Sequence, residues 1–303
     1  MKFDILTLFP DMVRTVLGES IIGRAQAAGL LSVACHNIRD WSQNKHRRVD
    51  DTPYGGGVGM VMAAQPVYDC YAELRGRIPA NERCRTVYLS PKGAVLTQKT
   101  ARDLTAYDRL ILICGHYEGM DQRLIDEIVD EEISIGDYVL TGGELPACVL
   151  VDCVARMLPG VLSEPACYEG ESIASGLLEY PQYTRPPVWR GRAVPDILLS
   201  GDHAKIDAWR LARSLALTDA RRPELSEAWR AAHPAPPPKK RRRNPAPPTD
   251  GDNKSDEEFR PAPGGDDKNG AEFRPAPTTK KSNAASPNGE EQQFRSSPDG
   301  KEG

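Results

Sequence analysis

The chain has 303 residues, and its 39 Lys and Arg against 43 Asp and Glu give a net charge of −4. This excludes a globally basic nucleic-acid binder and leaves any RNA contact to local clusters such as residues 45–48 (KHRR) or the arginines Arg210, Arg213, Arg221 and Arg222. No run of about 18 apolar residues exists, so no membrane span is expected, and MKFDILTLFP lacks the charged, apolar and cleavable order of a secretory leader.

Residues 3–9 alternate as a strand, and Asp11 is the expected N-cap of a helix ending near Gly29, with glycine at C′. Residues 30–38 read as a second strand. The polar, glycine-rich stretch 39–60 is too long for a plain connector, and such loops usually carry function. Helix is predicted over 65–75, strand over 86–89 and helix over 97–104. Residues 110–113 (LILI) make a buried-strand run, followed by a turn on which Gly115 and Gly119 bracket His116, Tyr117 and Glu118, and then by an acidic helix. A strand-like piece over 134–140 ends in Thr141-Gly142-Gly143, and Pro146 opens a helix over 145–158. This alternation predicts a parallel-rich α/β domain closing near Leu158. Recurring Pro and Gly over 159–187 mark a linker. Beyond it, 201–217 places Ile206, Trp209, Leu211 and Leu215 at helical spacing, and 223–232 makes a shorter helix, so a small helical domain is expected.

From Pro234 onward, 13 of the 26 prolines fall in 70 residues without a Val, Ile, Leu, Met, Trp, Tyr or Cys. Such a segment cannot bury a core, and disorder is expected over 233–303. Phenylalanines recur in it at Phe259, Phe273 and Phe294, either by low-complexity drift or as weak docking motifs for an unknown partner. The seven cysteines (35, 70, 84, 114, 148, 153 and 167) include no C-x-x-C pair and no histidine at zinc spacing, so they read as buried small hydrophobes in a reducing cytoplasm.

Two glycine turns at the carboxyl ends of strands suit a small ligand held through backbone groups, with two ordinary tight loops as the alternative. No GxGxxG follows the first strand, which disfavours a Rossmann-type site, and YGGGVGM over 54–60 lacks the order of a phosphate-binding P-loop.

Five motifs in order, VDDTPYGGGVGM, YLSPKG, CGHYEGMD, SIGDYVLTGGELP and GLLEYPQYTRP, resemble the TrmD family of bacterial tRNA (guanine-N1)-methyltransferases from Met1 to about Trp229. The resemblance implies an α/β fold: a SPOUT-type knotted methyltransferase domain over 1–160, a linker with the catalytic carboxylate over 161–176 and a helical tRNA-binding domain over 177–232. It also implies a homodimer, a tRNA partner and a guanosine target at tRNA position 37. The family pattern has no counterpart of the tail.

The same resemblance places S-adenosylmethionine against Tyr88, Leu89, Ser90 and Pro91, then Gly115, Tyr117 and Glu118, then Ile135, Gly136, Tyr138, Leu140, Gly142, Gly143 and Pro146. RNA falls to His46, Arg48, Asp50, Asp51, Gly57, Gly59 and His203. Core packing, a buried polar cluster pinning the loop and a helix-cap histidine are the respective structural alternatives. Mg²⁺ is implied too, although the sequence offers no dedicated cage.

Guanine N1 carries a proton and becomes a nucleophile only when that proton is lost, while negative charge develops on O6. A positioned base and a cationic donor are therefore needed. By resemblance the cation is Arg156. The base falls on Glu171, where the family has aspartate before Ser-Phe, with Glu169 as fallback. The extra methylene moves the carboxylate by about 1 Å, a displacement that can cost on the order of a hundredfold. A noncatalytic S-adenosylmethionine- and RNA-binding module of the same fold is the alternative.

Overall fold

The computed structural model describes residues 1–164, 168 and 170–234. A five-stranded, wholly parallel sheet carries strands β1 (Lys2–Thr7), β2 (Ser32–Asn37), β5 (Cys84–Val95), β6 (Arg109–Cys114) and β7 (Glu131–Ser134), in the order β2-β1-β6-β5-β7. β6 lies at the centre, and its apolar run is buried from Leu110 to Cys114, as a strand covered on both faces requires. Short strands β3 (Asp50–Asp51) and β4 (Val61–Met62) pair antiparallel within the long loop.

Helices α1 (Pro10–Leu17), α2 (Ser20–Ala27), α4 (Gln98–Leu104) and α6 (Glu144–Ala155) cover one face, burying Phe3, Ile5, Leu110 and Leu112 against Val13, Leu150 and Val154. Helices α3 (Ala64–Gly76) and α5 (Gln122–Ile128) cover the other, over Leu6, Ile111 and Ile113. Each such fully buried Leu or Ile contributes about 1.5–3 kcal/mol. After residue 156, β8 (Val188–Trp189) and β9 (Arg192–Ala193) form a hairpin, and α7 (His203–Arg221) packs on α8 (Pro223–Ala232). Among the described residues no helix is long and apolar enough to cross a membrane.

Several expectations are corrected. Asp11 is not an N-cap: Pro10 takes the first helical position after Phe9, and Asp11 pairs with Arg14 at 3.0 Å. The helix expected as far as Gly29 is two helices, broken at Gly18 and Glu19, with Ser20 at φ 55°. The strand expected over 134–140 ends at Ser134, because Gly136 adopts φ 150° and the chain bends there. On α7, Leu211 faces solvent while Ser214 and Thr218 are buried, with Thr218 Oγ1 donating to the Ser214 carbonyl (2.6 Å) and accepting from Leu178 N (2.9 Å). Cys70, Cys114 and Cys148 are buried, but Cys35, Cys84 and Cys153 are only half-buried, and Cys167 lies outside the described residues. Burial pushes the thiols up, to about 12 at Cys70 and about 11 at Cys148, so they remain protonated at neutral pH. The expected disorder of the tail and the fallback Glu169 fall on residues outside those described.

Candidate functional site

The carboxyl ends of β5, β6 and β7 surround a cavity of about 230 Å³. Its walls come from three segments. In β5 the register slips between Leu89 and Ala94, which turns Ser90 and Pro91 out of the ladder and into the wall beside Tyr88 and Leu89. The turn after β6 contributes Gly115, Tyr117 and Glu118. The bend after β7 contributes Ile135, Tyr138, Leu140, Gly142 and Gly143, with Pro146 from α6. All the residues assigned by resemblance to the methyl donor line this one cavity except Gly136, which shapes the bend by exchanging hydrogen bonds with Ser134 Oγ at 3.2 and 3.0 Å.

The two glycine turns are joined directly. Gly143 N donates to the Gly115 carbonyl at 2.8 Å, and a Cβ on Gly143 would lie 2.7 Å from Cys114 Cα and 2.8 Å from Gly115 N. Only glycine permits that approach. Tyr117 holds φ 59°, a left-handed conformation uncommon outside glycine and often kept at ligand sites. The turn is further knitted to the long loop, with Glu118 N donating to Met60 O (3.0 Å) and Met62 N to Gly119 O (2.9 Å). Tyr88, buried under the first turn, has its phenol pushed up to about 12 by burial and by Glu132, so it remains a neutral donor.

Beneath the turns lies a polar network that the sequence reading missed. Glu144, at the start of α6 and 2% exposed, accepts from Thr7 Oγ1 (2.6 Å) and meets His116 Nε2 at 2.8 Å; Thr7 Oγ1 in turn accepts from Phe9 N (2.9 Å). A buried carboxylate is tolerated only when paired in this way. The network ties the end of β1 to both glycine turns.

Arg156, the C-cap of α6, forms a bidentate pair with Glu171: Nη1 to Oε2 at 2.5 Å and Nη2 to Oε1 at 2.9 Å. Hydrogen bonding to Arg156 holds the Glu171 carboxyl below the usual range, and Glu171 raises the guanidinium. Neither side chain lines the cavity. The segment carrying Glu171 is folded back on itself, with Ile173 N donating to Leu177 O (2.9 Å) and Glu179 N to Ser172 Oγ (2.9 Å).

The residues assigned to RNA are spread over the surface. His46, Arg48, Asp51, Gly57, Gly59 and His203 are exposed, and Asp50 is half-buried in β3. That exposure argues against a buried cluster that merely pins the loop. Gly59 abuts the turn after β6, since a Cβ there would lie 2.6 Å from Glu118 Cγ. His203 is the first residue of α7, where Asp202 is the cap, accepting from Lys205 N at 3.2 Å. Among the described residues no three of His, Cys, Asp and Glu converge as a metal cage.

A parallel sheet with a cavity at its carboxyl edge between glycine turns defines an α/β protein with a small-ligand site of the kind that open sheets carry. Residues 1–228 match the model of the family tRNA (Guanine-1)-methyltransferase TrmD, and the chain belongs to that family. It is 57% identical over 225 residues to a tRNA (guanine-N(1)-)-methyltransferase of Ruminiclostridium cellulolyticum, covering 74% of this chain and 96% of that protein. Proteins of the same name from Alkaliphilus oremlandii and Chloroflexus aurantiacus are 57% and 54% identical, over 74% of this chain and 92% and 88% of their own lengths.

Proposed function

We propose that the chain is a tRNA (guanine-N1)-methyltransferase that moves a methyl group from S-adenosylmethionine to N1 of the guanosine at tRNA position 37, just 3′ of the anticodon. Family membership supplies the reaction. The observation that carries the site assignment is the bidentate Arg156–Glu171 pair. It sets an N–H donor beside a carboxylate acceptor, the complement of the guanine edge, where O6 accepts and N1–H donates. Entry of guanine exchanges the mutual contacts of the pair for contacts to O6 and N1–H.

Glu171 then takes the N1 proton, and Arg156 meets the charge that develops on O6. Loss of the Arg156 hydrogen bonds raises the carboxylate's pKa, making it a stronger base when the proton must be taken. Main-chain groups of the turns at Gly115 and Gly143, with Leu89, Leu140 and Pro146 as apolar walls, fit an adenosyl group, and Glu118 at the rim suits a cationic amino acid moiety. The donor supplies an electrophilic methyl group when bound; the protein's part is to orient it and exclude water.

The knotted topology belongs to this proposal, as do the 1–160, 161–176 and 177–232 divisions. The homodimer does as well: Phe9 at the cap of α1, Met12 and Val16 on α1, and Leu145 and Val149 on α6 are exposed on two helices that pack together, an apolar face of the kind subunits cover. Single-turnover transfer to two unmodified transcripts differing only in G or A at position 37, with the product nucleoside identified by mass, tests the reading. Transfer to the G transcript alone, as 1-methylguanosine, is expected; donor binding without transfer would support the noncatalytic alternative.

A further inference from the structure

A second cavity, of about 850 Å³, lies between the extended segment 180–187, the 3-10 turn Asp196–Leu199 and α7. Its lining is unlike that of the donor cavity. The Arg210 guanidinium sits 5.0 Å over the Tyr180 ring, and although Nη1 meets Asp207 at 3.2 Å, its Nε is buried with no hydrogen-bond partner. Tyr183 is half exposed in the same lining, and Arg185 beside it has no ion pair among the described residues.

The β8–β9 hairpin stands on the rim, since Pro187 and Val194 both line the cavity and are joined by Val194 N to Pro187 O at 2.8 Å. Its two-residue turn holds Arg190 and Gly191 at φ 50° and 75°, the form that keeps a hairpin tightly twisted. Arg190 stacks 5.1 Å over Trp189, which is still 60% exposed, and neither Arg190 nor Arg192 has an ion pair among the described residues. Unneutralised arginines interleaved with open aromatic faces are how single-stranded nucleic acid is gripped. On a chain of net charge −4 such a concentration is a local departure. An acidic peptide would use the cations but leave the aromatic faces idle.

We propose that this groove and its hairpin rim form a second RNA subsite, which holds an unstacked nucleotide of the substrate away from the target base. The base rests on the aromatic faces of Tyr183 and Trp189, and the phosphate on Arg185. The inference rests on the methyltransferase reading and names where that substrate is gripped.

The test measures the Kd of the full chain for an unmodified tRNA transcript across a salt series, together with S-adenosylmethionine affinity and subunit association by sedimentation. Trp189→Ala is expected to weaken tRNA binding by roughly tenfold, with Trp189→Phe restoring most of it. Arg185→Ala is expected to weaken binding and to lower the slope of log Kd against log salt by about 0.7–1. Donor affinity should be unchanged in each. tRNA affinity within twofold of the parent in both alanine variants would overturn the subsite while leaving the methyltransferase reading intact. Weakened affinity accompanied by dissociation to monomers would also overturn it, assigning the hairpin to subunit contact. A parent protein that binds no tRNA would overturn both.

Discussion

The cavity at the carboxyl edge of the sheet is shaped by main chain at its two glycine turns, held by core strands and by the Gly143–Gly115 hydrogen bond. The Arg156–Glu171 pair is the opposite: two long, partly exposed side chains, one at the end of α6 and one on a folded-back segment beyond it. The difference teaches which changes each can bear. A main-chain site is indifferent to most side-chain chemistry and intolerant of added volume. A side-chain pair accepts volume nearby and fails when one functional group is exchanged.

The sharpest break in that contrast is Glu171→Gln, which keeps the shape and removes the proposed base. Single-turnover methyl transfer is expected to fall by roughly 10²–10⁴-fold with S-adenosylmethionine affinity unchanged. Equal losses in both would show that the pair shapes the cavity instead.

The same pair fixes a pH dependence. Because Arg156 lowers the Glu171 pKa in the free protein, the carboxylate is ionised at neutral pH, and kcat/KM, which reports the free protein, should fall only as pH drops through a value below the ordinary Glu range of about 4.3. The sign for stability is the same. The ion pair's contribution is fully present above the unfolded pKa and is lost as pH falls through the lower folded value. In Arg156→Ala the acidic limb of the rate profile should move up toward the ordinary range, by the direction of the cited shift, along with a lower plateau. A limb that stays put would mean another group takes the proton.

On the cavity side, Gly143→Ala places a methyl group 2.7 Å from Cys114 Cα, backbone that cannot move aside cheaply. Donor affinity should fall by roughly ten- to a hundredfold, read by calorimetry, because one turn must shift against the other. Thr141→Ala, on the same wall with no change of backbone type, should leave affinity within about threefold. Similar losses in both would remove the distinction between main-chain and side-chain sites.

How much of this was legible follows the range of the forces involved. β6 could be read from Leu110 to Ile113 because a strand buried on both faces is a local apolar run, and the donor turns because glycines cluster beside it. The bend after Ser134 was read as strand since Tyr138, Val139 and Leu140 are apolar, yet they line the cavity or face solvent instead of extending the ladder. Leu211 fits a helical stripe, but the inward side of α7 is set by the hydrogen bond from Leu178 N to Thr218, which depends on a segment 40 residues away. The Thr7–Glu144–His116 network was invisible for the same reason: its members are 137 and 28 residues apart, and no local pattern marks Glu144 as buried. Glu171 and Arg156 were found through family motifs, not through periodicity.

That network gives a milder test of the cavity side. Glu144→Gln keeps the size but leaves His116 and Thr7 with an altered partner, and the buried exchange should cost about 1–3 kcal/mol, a Tm decrease of several degrees for a domain of this size. If the network only stabilises the fold, donor KM will match the parent well below Tm. If it positions the two glycine turns, KM for S-adenosylmethionine should rise severalfold while KM for tRNA holds.

The smallest effect is expected beyond the family match. The family match ends at residue 228. Both the cavity and the pair are complete before Ala235. Deleting residues 235–303 should therefore leave Tm, donor affinity and single-turnover rate within about twofold, since the segment lacks the apolar residues to bury against the sheet or the helices. A larger loss confined to tRNA affinity, and steep in salt, would instead place the KKRRR run at 239–243 on the RNA backbone, adding a third, purely electrostatic contact to the main-chain cavity and the side-chain pair.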